Sequence, residues 1–186
     1  LAWTTTPWTL PGNVALAVGE KIKYLITKLN GDYIIVAADL AGRVLVSPGQ
    51  EAIALPQEHT AIIEGKSLIG LEYEPLYDFA KNLAGESEKP KFYKAFQVYA
   101  ANFVTTEDGT GIVHTAVMYG QEDFELGNKI GLPKVHLVNP EGKFVEGTGL
   151  LTGRSVVEEE TSVEILKDLQ ARGLLFKKES YTHTYP

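Results

Sequence analysis

The sequence predicts a β-rich α/β domain, and three observations support that prediction. The chain has 186 residues, 44% of them hydrophobic and 22% charged, which is enough to build one sizeable core. Most periodic segments alternate apolar and polar or large and small side chains, as strands do. Few segments have the three-to-four-residue apolar spacing of a helix. We therefore expect one domain, residues 1–186, in which strands outnumber helices.

A first hairpin is predicted over residues 22–37. Residues 22–29 and 33–37 are rich in strand-forming side chains, and Asn30 and Gly31 stand between them. Asn and Gly tolerate the positive φ angles of a tight two-residue turn. The two strands are therefore expected to pair directly with each other.

A second hairpin is predicted in the middle of the chain. Residues 94–104 alternate large and small side chains, and Asp108 and Gly109 form a turn signal before residues 111–116. The second strand of this pair would carry His114 near its end.

Two helices are predicted in the second half of the chain. Residues 121–130 form a short helix that ends at Gly131, and residues 156–172 form a longer one that ends at Gly173. The longer helix also has an apolar stripe on one face. A capping-box spacing that begins at Ser155 marks its start.

The composition excludes several kinds of chemistry. The chain has no cysteine, so it has no disulfide, no thiol nucleophile and no thiolate metal ligand. Its four histidines lack the spacing of metal ligands, and we expect no metal ion in this domain. Because no apolar run is long enough to span a bilayer and no secretory signal pattern opens the sequence, we expect no membrane partner and a cytoplasmic location.

The net charge limits the kind of nucleic acid that the domain could hold. There are 17 basic residues against 24 acidic ones, which gives a formal net charge of −7. A broad duplex-binding surface needs many Lys and Arg side chains against phosphates, and this composition disfavours one. A short single-stranded end needs few contacts and remains compatible with the charge.

The first nine residues contain the most informative motif. Thr4, Thr5 and Thr6 stand between Trp3 and Trp8, which are the only tryptophans in the chain. Three hydroxyls donate and accept hydrogen bonds without charge, and two indoles can wall a pocket and exclude water. Such a site suits a small polar ligand with one apolar group. The alternative is an ordinary strand start, since Thr and Trp are both common in strands.

A second long motif covers residues 107–125. Together with residues 3–13 it resembles the editing domain that is inserted into isoleucyl-tRNA synthetases. Weaker matches at residues 70–77, 131–133 and 172–186 extend this resemblance over the whole chain. Valyl and leucyl enzymes usually have Thr-Thr-Arg-Pro in place of Thr-Thr-Thr-Pro, so the isoleucyl assignment depends largely on Thr6 and Trp8.

The resemblance implies both a fold and an activity. The implied fold is a barrel-like mixed sheet with a few peripheral helices, typical of editing domains in class I aminoacyl-tRNA synthetases. The implied activity is hydrolysis of mischarged valyl-tRNA(Ile) by a positioned water, with hydrolysis of valyl-adenylate left open. The implied partners are the 3′ end of tRNA(Ile) carrying valine and the rest of a synthetase chain. The domain itself would need no cofactor, while the parent enzyme would use ATP and Mg²⁺.

Three other functions stay open on the sequence. The domain could be a module that binds the 3′ end of a tRNA without catalysis, or an editing domain of a valyl-type synthetase. It could also be a generic β-barrel that binds small amino acids. A deacylation assay separates the first and third of these from an editing enzyme.

The resemblance assigns catalytic roles to Thr4, Thr5, Thr6 and Asp123. The threonines would surround the aminoacyl ester and orient the water, because a hydroxyl of ordinary pKa is not a strong base. Asp123 would bind the α-ammonium group of the substrate by charge-assisted hydrogen bonds. Its alternative role is that of a first-turn aspartate stabilised by the helix dipole, and the two roles are compatible.

Substrate-binding roles fall to Trp3, Trp8, His114 and Met118, together with Asp123. With Trp8, His114 looks like a wall that rejects isoleucine, although an imidazole can also act as a base near neutral pH. Relatives commonly have a proline where this chain has Val117. We therefore expect either a looser loop after His114 or a Met118 side chain that fills part of the pocket.

Overall fold

The computed structural model describes residues 1–45 and 60–179. Within these residues six short strands and four helices alternate along the chain, and the predicted α/β class is confirmed. The strands are β1 (Ala15–Val18), β2 (Lys23–Leu29), β3 (Asp32–Ala37), β4 (Ala61–Glu64), β5 (Gln97–Ala100) and β6 (Ile112–Thr115). The helices are α1 (Ala41–Val44), α2 (Phe79–Asn82), α3 (Gln121–Ile130) and α4 (Glu159–Ala171). None of the helices in the described part of the chain is long and apolar enough to cross a membrane.

The first sheet has the strand order β5-β1-β6. β1 runs parallel to β5 and antiparallel to β6, and its alanines Ala15 and Ala17 are fully buried. The predicted hairpin between residues 94–104 and 111–116 is therefore wrong, although each segment does contain a strand. β1 lies between the two strands, so the chain from residue 101 to residue 111 crosses the sheet instead of making a tight turn.

The second sheet has the order β3-β2-β4, and it contains the predicted hairpin. β2 and β3 pair antiparallel from Tyr24–Ala37 to Leu29–Asp32. Asn30 and Gly31 between them have φ angles of +52° and +98°, as a two-residue turn of this kind requires. The prediction for this part of the chain is confirmed.

The two sheets share one core but do not close into a barrel. Each has three strands among the described residues, too few for a sheet to curl onto itself. The expected barrel is therefore not observed in this part of the chain. The sheets meet at Tyr24, which is fully buried and whose hydroxyl donates to Gly111 O at 2.6 Å and accepts from Gly19 N at 3.0 Å.

The two longer helices follow their sequence signals closely. α3 has the predicted bounds and ends at Gly131, whose φ of +80° is the left-handed conformation that glycine favours. α4 begins at Glu159, three residues after the predicted start, and ends just before Gly173. The capping box expected at Ser155 is wrong, because no side chain caps this helix and the carbonyl of Ser155 instead accepts from the Thr161 hydroxyl at 2.6 Å.

Removing the Tyr24 hydroxyl should weaken the contact between the sheets. Tyr24→Phe leaves the Gly19 N–H and the Gly111 carbonyl without this partner, and we expect a loss of about 1–3 kcal/mol in the free energy of unfolding. Urea unfolding of both proteins measures it. Tyr33→Phe is the matched control, since Tyr33 is 62% exposed and should change the stability by less than about 0.5 kcal/mol. Equal midpoints for Tyr24→Phe and the unchanged protein would contradict this role.

Candidate functional site

A cavity of about 600 Å³ lies beside the N-terminal segment, between the first sheet and α4. Four of the predicted site residues line it: Trp3, Thr4, Thr5 and His114. Its opposite side is largely apolar and comes from α4 and the segment after it, which contribute Val163, Leu166, Leu169, Leu174, Leu175 and Phe176. The cavity therefore joins a wall of hydroxyl and imidazole groups to a largely apolar one. Its lining also includes the charged side chains of Glu74, Glu159, Lys177, Lys178 and Glu179.

Pairing between the N-terminal segment and β6 brings the two sequence motifs together. Trp3 forms an isolated parallel bridge with Val113. The Trp3 N–H donates to Ile112 O at 2.9 Å, and the His114 N–H donates to Trp3 O at 3.2 Å. Thr4 follows Trp3 directly, so this pairing places the threonines beside His114 although more than a hundred residues separate them.

The three threonines are held by local hydrogen bonds before the chain turns. The Thr6 N–H donates to Thr4 Oγ1 at 3.0 Å, and the hydroxyls of Thr5 and Thr6 lie 3.3 Å apart. Pro7 then begins a 3₁₀ helix, Pro7–Gly12, where its missing N–H and fixed φ are tolerated. Thr4 and Thr5 line the cavity, whereas Thr6 is not among its lining residues.

Asn13 and Thr9 bind the imidazole of His114 from two sides. Asn13 Nδ2 lies 2.8 Å from Nδ1 of the ring, and Thr9 Oγ1 lies 3.0 Å from Nε2. All three residues are buried, and the Tyr73 hydroxyl donates to Asn13 Oδ1 at 2.5 Å. Asn13 and Tyr73 line the same cavity. Asn13, Thr9 and Tyr73 are not among the predicted site residues, although Thr9 and Asn13 belong to the first motif and Tyr73 to the weaker match at residues 70–77.

Burial also sets the protonation of this cluster. His114 is 6% exposed, and its burial lowers its pKa from 6.5 to about 4. The imidazole is therefore neutral at physiological pH. Burial raises the pKa of Tyr73, so its hydroxyl keeps its proton and remains a donor.

Asp123 lies in the first turn of α3 and is not among the residues that line the cavity. Its Oδ2 accepts a hydrogen bond from the Ala116 N–H at 2.8 Å, two residues after His114. Burial raises the pKa of this carboxyl, and the Ala116 hydrogen bond opposes that shift. The structure therefore brings Asp123 to the end of β6 but does not bring it to the cavity wall.

Trp8 and Met118 also lie outside the cavity lining. Trp8 packs edge-on against Tyr119, with ring centroids 5.1 Å apart, and it covers the core cluster that contains Leu137 and Ile165. Met118 packs against a different cluster, formed by Val14, Ala15, Ala80, Ala95, Val117 and Leu132. In this structure both side chains fill apolar core instead of facing the threonines.

Sequence comparison identifies the family. A scan against protein-family models finds no match. The isoleucine–tRNA ligase of Clostridium novyi is 43% identical over 188 residues, and that of Thermus thermophilus is 39% identical over 186 residues. Each alignment covers 100% of this chain and 16% of the relative. The chain matches the isoleucyl-tRNA synthetases over its full length. The alternative of a valyl-type synthetase receives no support from these relatives.

Solved structures agree with this assignment at the level of the fold. This chain superposes on the crystal structure of GlLeuRS-CP1 with a TM-score of 0.68, at 15% identity, over 96% of this chain and 83% of that one. It superposes on the editing domain of the P. falciparum cytosolic leucyl-tRNA synthetase with a TM-score of 0.54, at 14% identity, over 90% of this chain and 65% of that one. The chain thus has the fold of synthetase editing domains.

The cavity offers hydroxyl and amide hydrogen-bonding groups next to an apolar wall. Hydroxyls and amides can orient a water or meet a developing negative charge without a covalent step. Across residues 1–45 and 60–179 no group of three or more His, Asp or Glu side chains has the arrangement of a metal site.

The buried imidazole should make stability depend on pH. Unfolded His114 binds a proton near pH 6.5, whereas the folded residue binds one only near pH 4, so stability falls as the pH is lowered between these values. Between pH 7 and pH 5 we expect a loss of about 2 kcal/mol in the free energy of unfolding from this residue. Urea unfolding at both pH values measures the loss in the unchanged protein and in His114→Asn, which lacks the titrating group. The same loss in both proteins would refute the assignment.

Proposed function

We propose that this domain hydrolyses the ester of valyl-tRNA(Ile), with valyl-adenylate as a second substrate. The observation that supports the proposal is the cavity in which Trp3, Thr4 and Thr5 meet His114, in a chain that matches isoleucyl-tRNA synthetases. Its volume of about 600 Å³ falls in the range of small-ligand sites. We further propose that the domain works within a longer, cytoplasmic isoleucine–tRNA ligase that uses ATP and Mg²⁺ at a separate site.

In the proposed reaction a water attacks the ester carbonyl carbon. The carbon–oxygen bond to the ribose breaks, the water proton passes to the ribose oxygen, and valine and free tRNA(Ile) are released. Thr4, Thr5 and Thr6 orient the water and donate hydrogen bonds to the ester oxygens. His114 forms part of the wall rather than the base, since both of its ring nitrogens are already hydrogen-bonded.

We propose that Asp123 binds the α-ammonium group of the substrate. Its support is a partly buried carboxylate held by the Ala116 N–H at the end of the strand that carries His114. Burial strengthens a charge-assisted hydrogen bond because few waters compete for it. Trp8 and Met118 would then act through the packing behind the site instead of by direct contact.

The proposed selectivity follows from the difference of one methylene group between isoleucine and valine. A synthetic site that accepts isoleucine disfavours valine by only about 1–3 kcal/mol, and isoleucyl-tRNA synthetase is itself the standard example of this limit. A second site that accepts valine and excludes isoleucine by size would correct the remaining errors. The buried imidazole of His114 is the group proposed to set that size limit.

The anchoring role of Asp123 is tested by removing its charge. Asp123→Asn keeps an oxygen that can accept from Ala116 N but loses the negative charge, so the ammonium contact weakens. We expect deacylation of valyl-tRNA(Ile) by the full-length synthetase to fall about ten- to a hundredfold, while isoleucine activation stays unchanged. Rapid-quench deacylation and ATP–pyrophosphate exchange measure the two activities. Normal deacylation by a folded Asp123→Asn enzyme would exclude this role.

The size limit is tested by His114→Ala. Removing the ring opens space for one more methylene group, so the full-length enzyme should begin to deacylate correctly charged Ile-tRNA(Ile) while it still deacylates Val-tRNA(Ile). Deacylation of both charged tRNAs under the same conditions measures the change in discrimination. If a folded variant loses both activities, His114 takes part in the chemistry. If the discrimination is unchanged, the limit lies elsewhere in the site.

A further inference from the structure

Tyr73, Asn13, His114 and Thr9 form one continuous chain of hydrogen bonds along the cavity wall. The Tyr73 hydroxyl donates to Asn13 Oδ1, Asn13 Nδ2 contacts His114 Nδ1, and His114 Nε2 contacts Thr9 Oγ1. The Thr9 hydroxyl in turn donates to the carbonyl of Thr6 at 2.8 Å. The chain therefore connects a tyrosine on one side of the site to the threonine segment on the other.

Contacts with backbone carbonyls show which way the Asn13 amide faces. Its Nδ2 lies 2.8 Å from Ala15 O and 3.4 Å from Thr115 O. Carbonyl oxygens only accept hydrogen bonds, so the amide nitrogen and not the amide oxygen must face them. The amide oxygen then faces Tyr73, whose hydroxyl is the donor that it needs.

This orientation decides where the proton on His114 sits. Because the Asn13 amide nitrogen is a donor, Nδ1 of the ring must accept, and the single proton of a neutral imidazole must be on Nε2. Nε2–H then donates to Thr9 Oγ1, whose own proton is used by Thr6 O. Each of the four side chains has one consistent set of donors and acceptors.

We infer that Tyr73 is a positioning residue for the editing site: by donating to the Asn13 amide oxygen it works with Ala15 O to hold the amide, and through it His114, in the single neutral tautomer with its proton on Nε2. The meaning of this inference for hydrolysis rests on the proposed function. In this tautomer both ring nitrogens are hydrogen-bonded, so neither is left to take a proton from water. The ring donates to the Thr9 hydroxyl, which in turn donates to the Thr6 carbonyl. Tyr73 thus acts on the threonine segment without touching it.

Other ionisable groups surround the cavity but do not replace these bonds. Those that line it, besides His114 and Tyr73, are Glu74, Glu159, Lys177, Lys178 and Glu179. Asp123 is not among the lining residues, and its Oδ2 accepts a hydrogen bond from Ala116 N. Burial is the cause of the low pKa of His114, and the bonds to its ring nitrogens come from Asn13 and Thr9.

Tyr73→Phe is the informative variant, measured in the full-length synthetase. Without the hydroxyl, Asn13 Oδ1 loses this donor, and only the contacts of Nδ2 with Ala15 O and Thr115 O still oppose rotation of the amide. Rotation that brings the amide oxygen toward Nδ1 favours a protonated ring. Deuterium exchange at the imidazole C2–H, followed by mass spectrometry against pH, reports the titration of each histidine separately. We expect the His114 midpoint to rise by about one pH unit or more in Tyr73→Phe. Exchange at the exposed His136 provides the internal reference.

Tyr77→Phe is the matched control. Tyr77 also donates its hydroxyl to a side-chain oxygen, that of Asp168 at 2.7 Å, but it lies outside the cavity lining. Its loss should leave the His114 midpoint unchanged. If Tyr73→Phe does not fold, Asn13→Asp replaces it, because a carboxylate against Nδ1 should raise the midpoint at least as far.

An unchanged His114 midpoint in a folded Tyr73→Phe or Asn13→Asp enzyme would overturn the inference. An equal rise in Tyr77→Phe would also overturn it, because that result indicates general loosening of the core. Exchange does not depend on hydrolysis, so the result is separate from the proposed function. If the full-length synthetase without any substitution does not deacylate Val-tRNA(Ile), the proposed function is wrong. The measured His114 midpoints would still test the tautomer.

Discussion

Burying an imidazole and an amide side by side is unfavourable unless each of their polar atoms finds a partner. Asn13 and His114 lie 101 residues apart in the sequence, and both are buried. They satisfy each other, and the remaining bonds come from Ala15 O, Thr9 and Tyr73. The first sheet and the cavity wall both depend on this pairing, because β1 begins two residues after Asn13 and β6 carries His114.

The pairing of the N-terminal segment with β6 also helps to keep Asn13 and His114 within hydrogen-bonding distance. The His114 N–H donates to Trp3 O, so the backbone and the side chain of one residue are bonded to two separate parts of the N-terminal segment. Moving the strand by one residue would turn the imidazole to the other face of the sheet. It would also leave the Asn13 amide without its ring partner. The position of the threonines is thus coupled to the register of β6.

Local signals in the sequence were sufficient to predict the turns and helix ends, which depend on only a few neighbouring residues. The Asn30-Gly31 turn and the end of α3 at Gly131 each depend on a φ angle that the residue itself favours. The pairing of β1 with both β5 and β6 was not predicted. Alternating side chains indicate that a segment is a strand, but they do not indicate which strand lies beside it. Thr4, Thr5 and His114 reached one cavity as their motifs indicated. Asn13 and Tyr73 were missed because the choice of a hydrogen-bond partner across the fold has no local signature.

Val117 stands where relatives commonly have a proline, and its side chain is packed in the core. Val117 is 2% exposed, and its side chain packs against α3 at Gly127. A Cβ added at Gly127 would lie 2.6 Å from Val117 Cγ1, so the helix can approach this closely only because residue 127 is a glycine. Because the Val117 side chain is held against α3, packing restrains the chain just after β6. The next residue, Met118, packs against the core cluster around Leu132 and does not line the cavity.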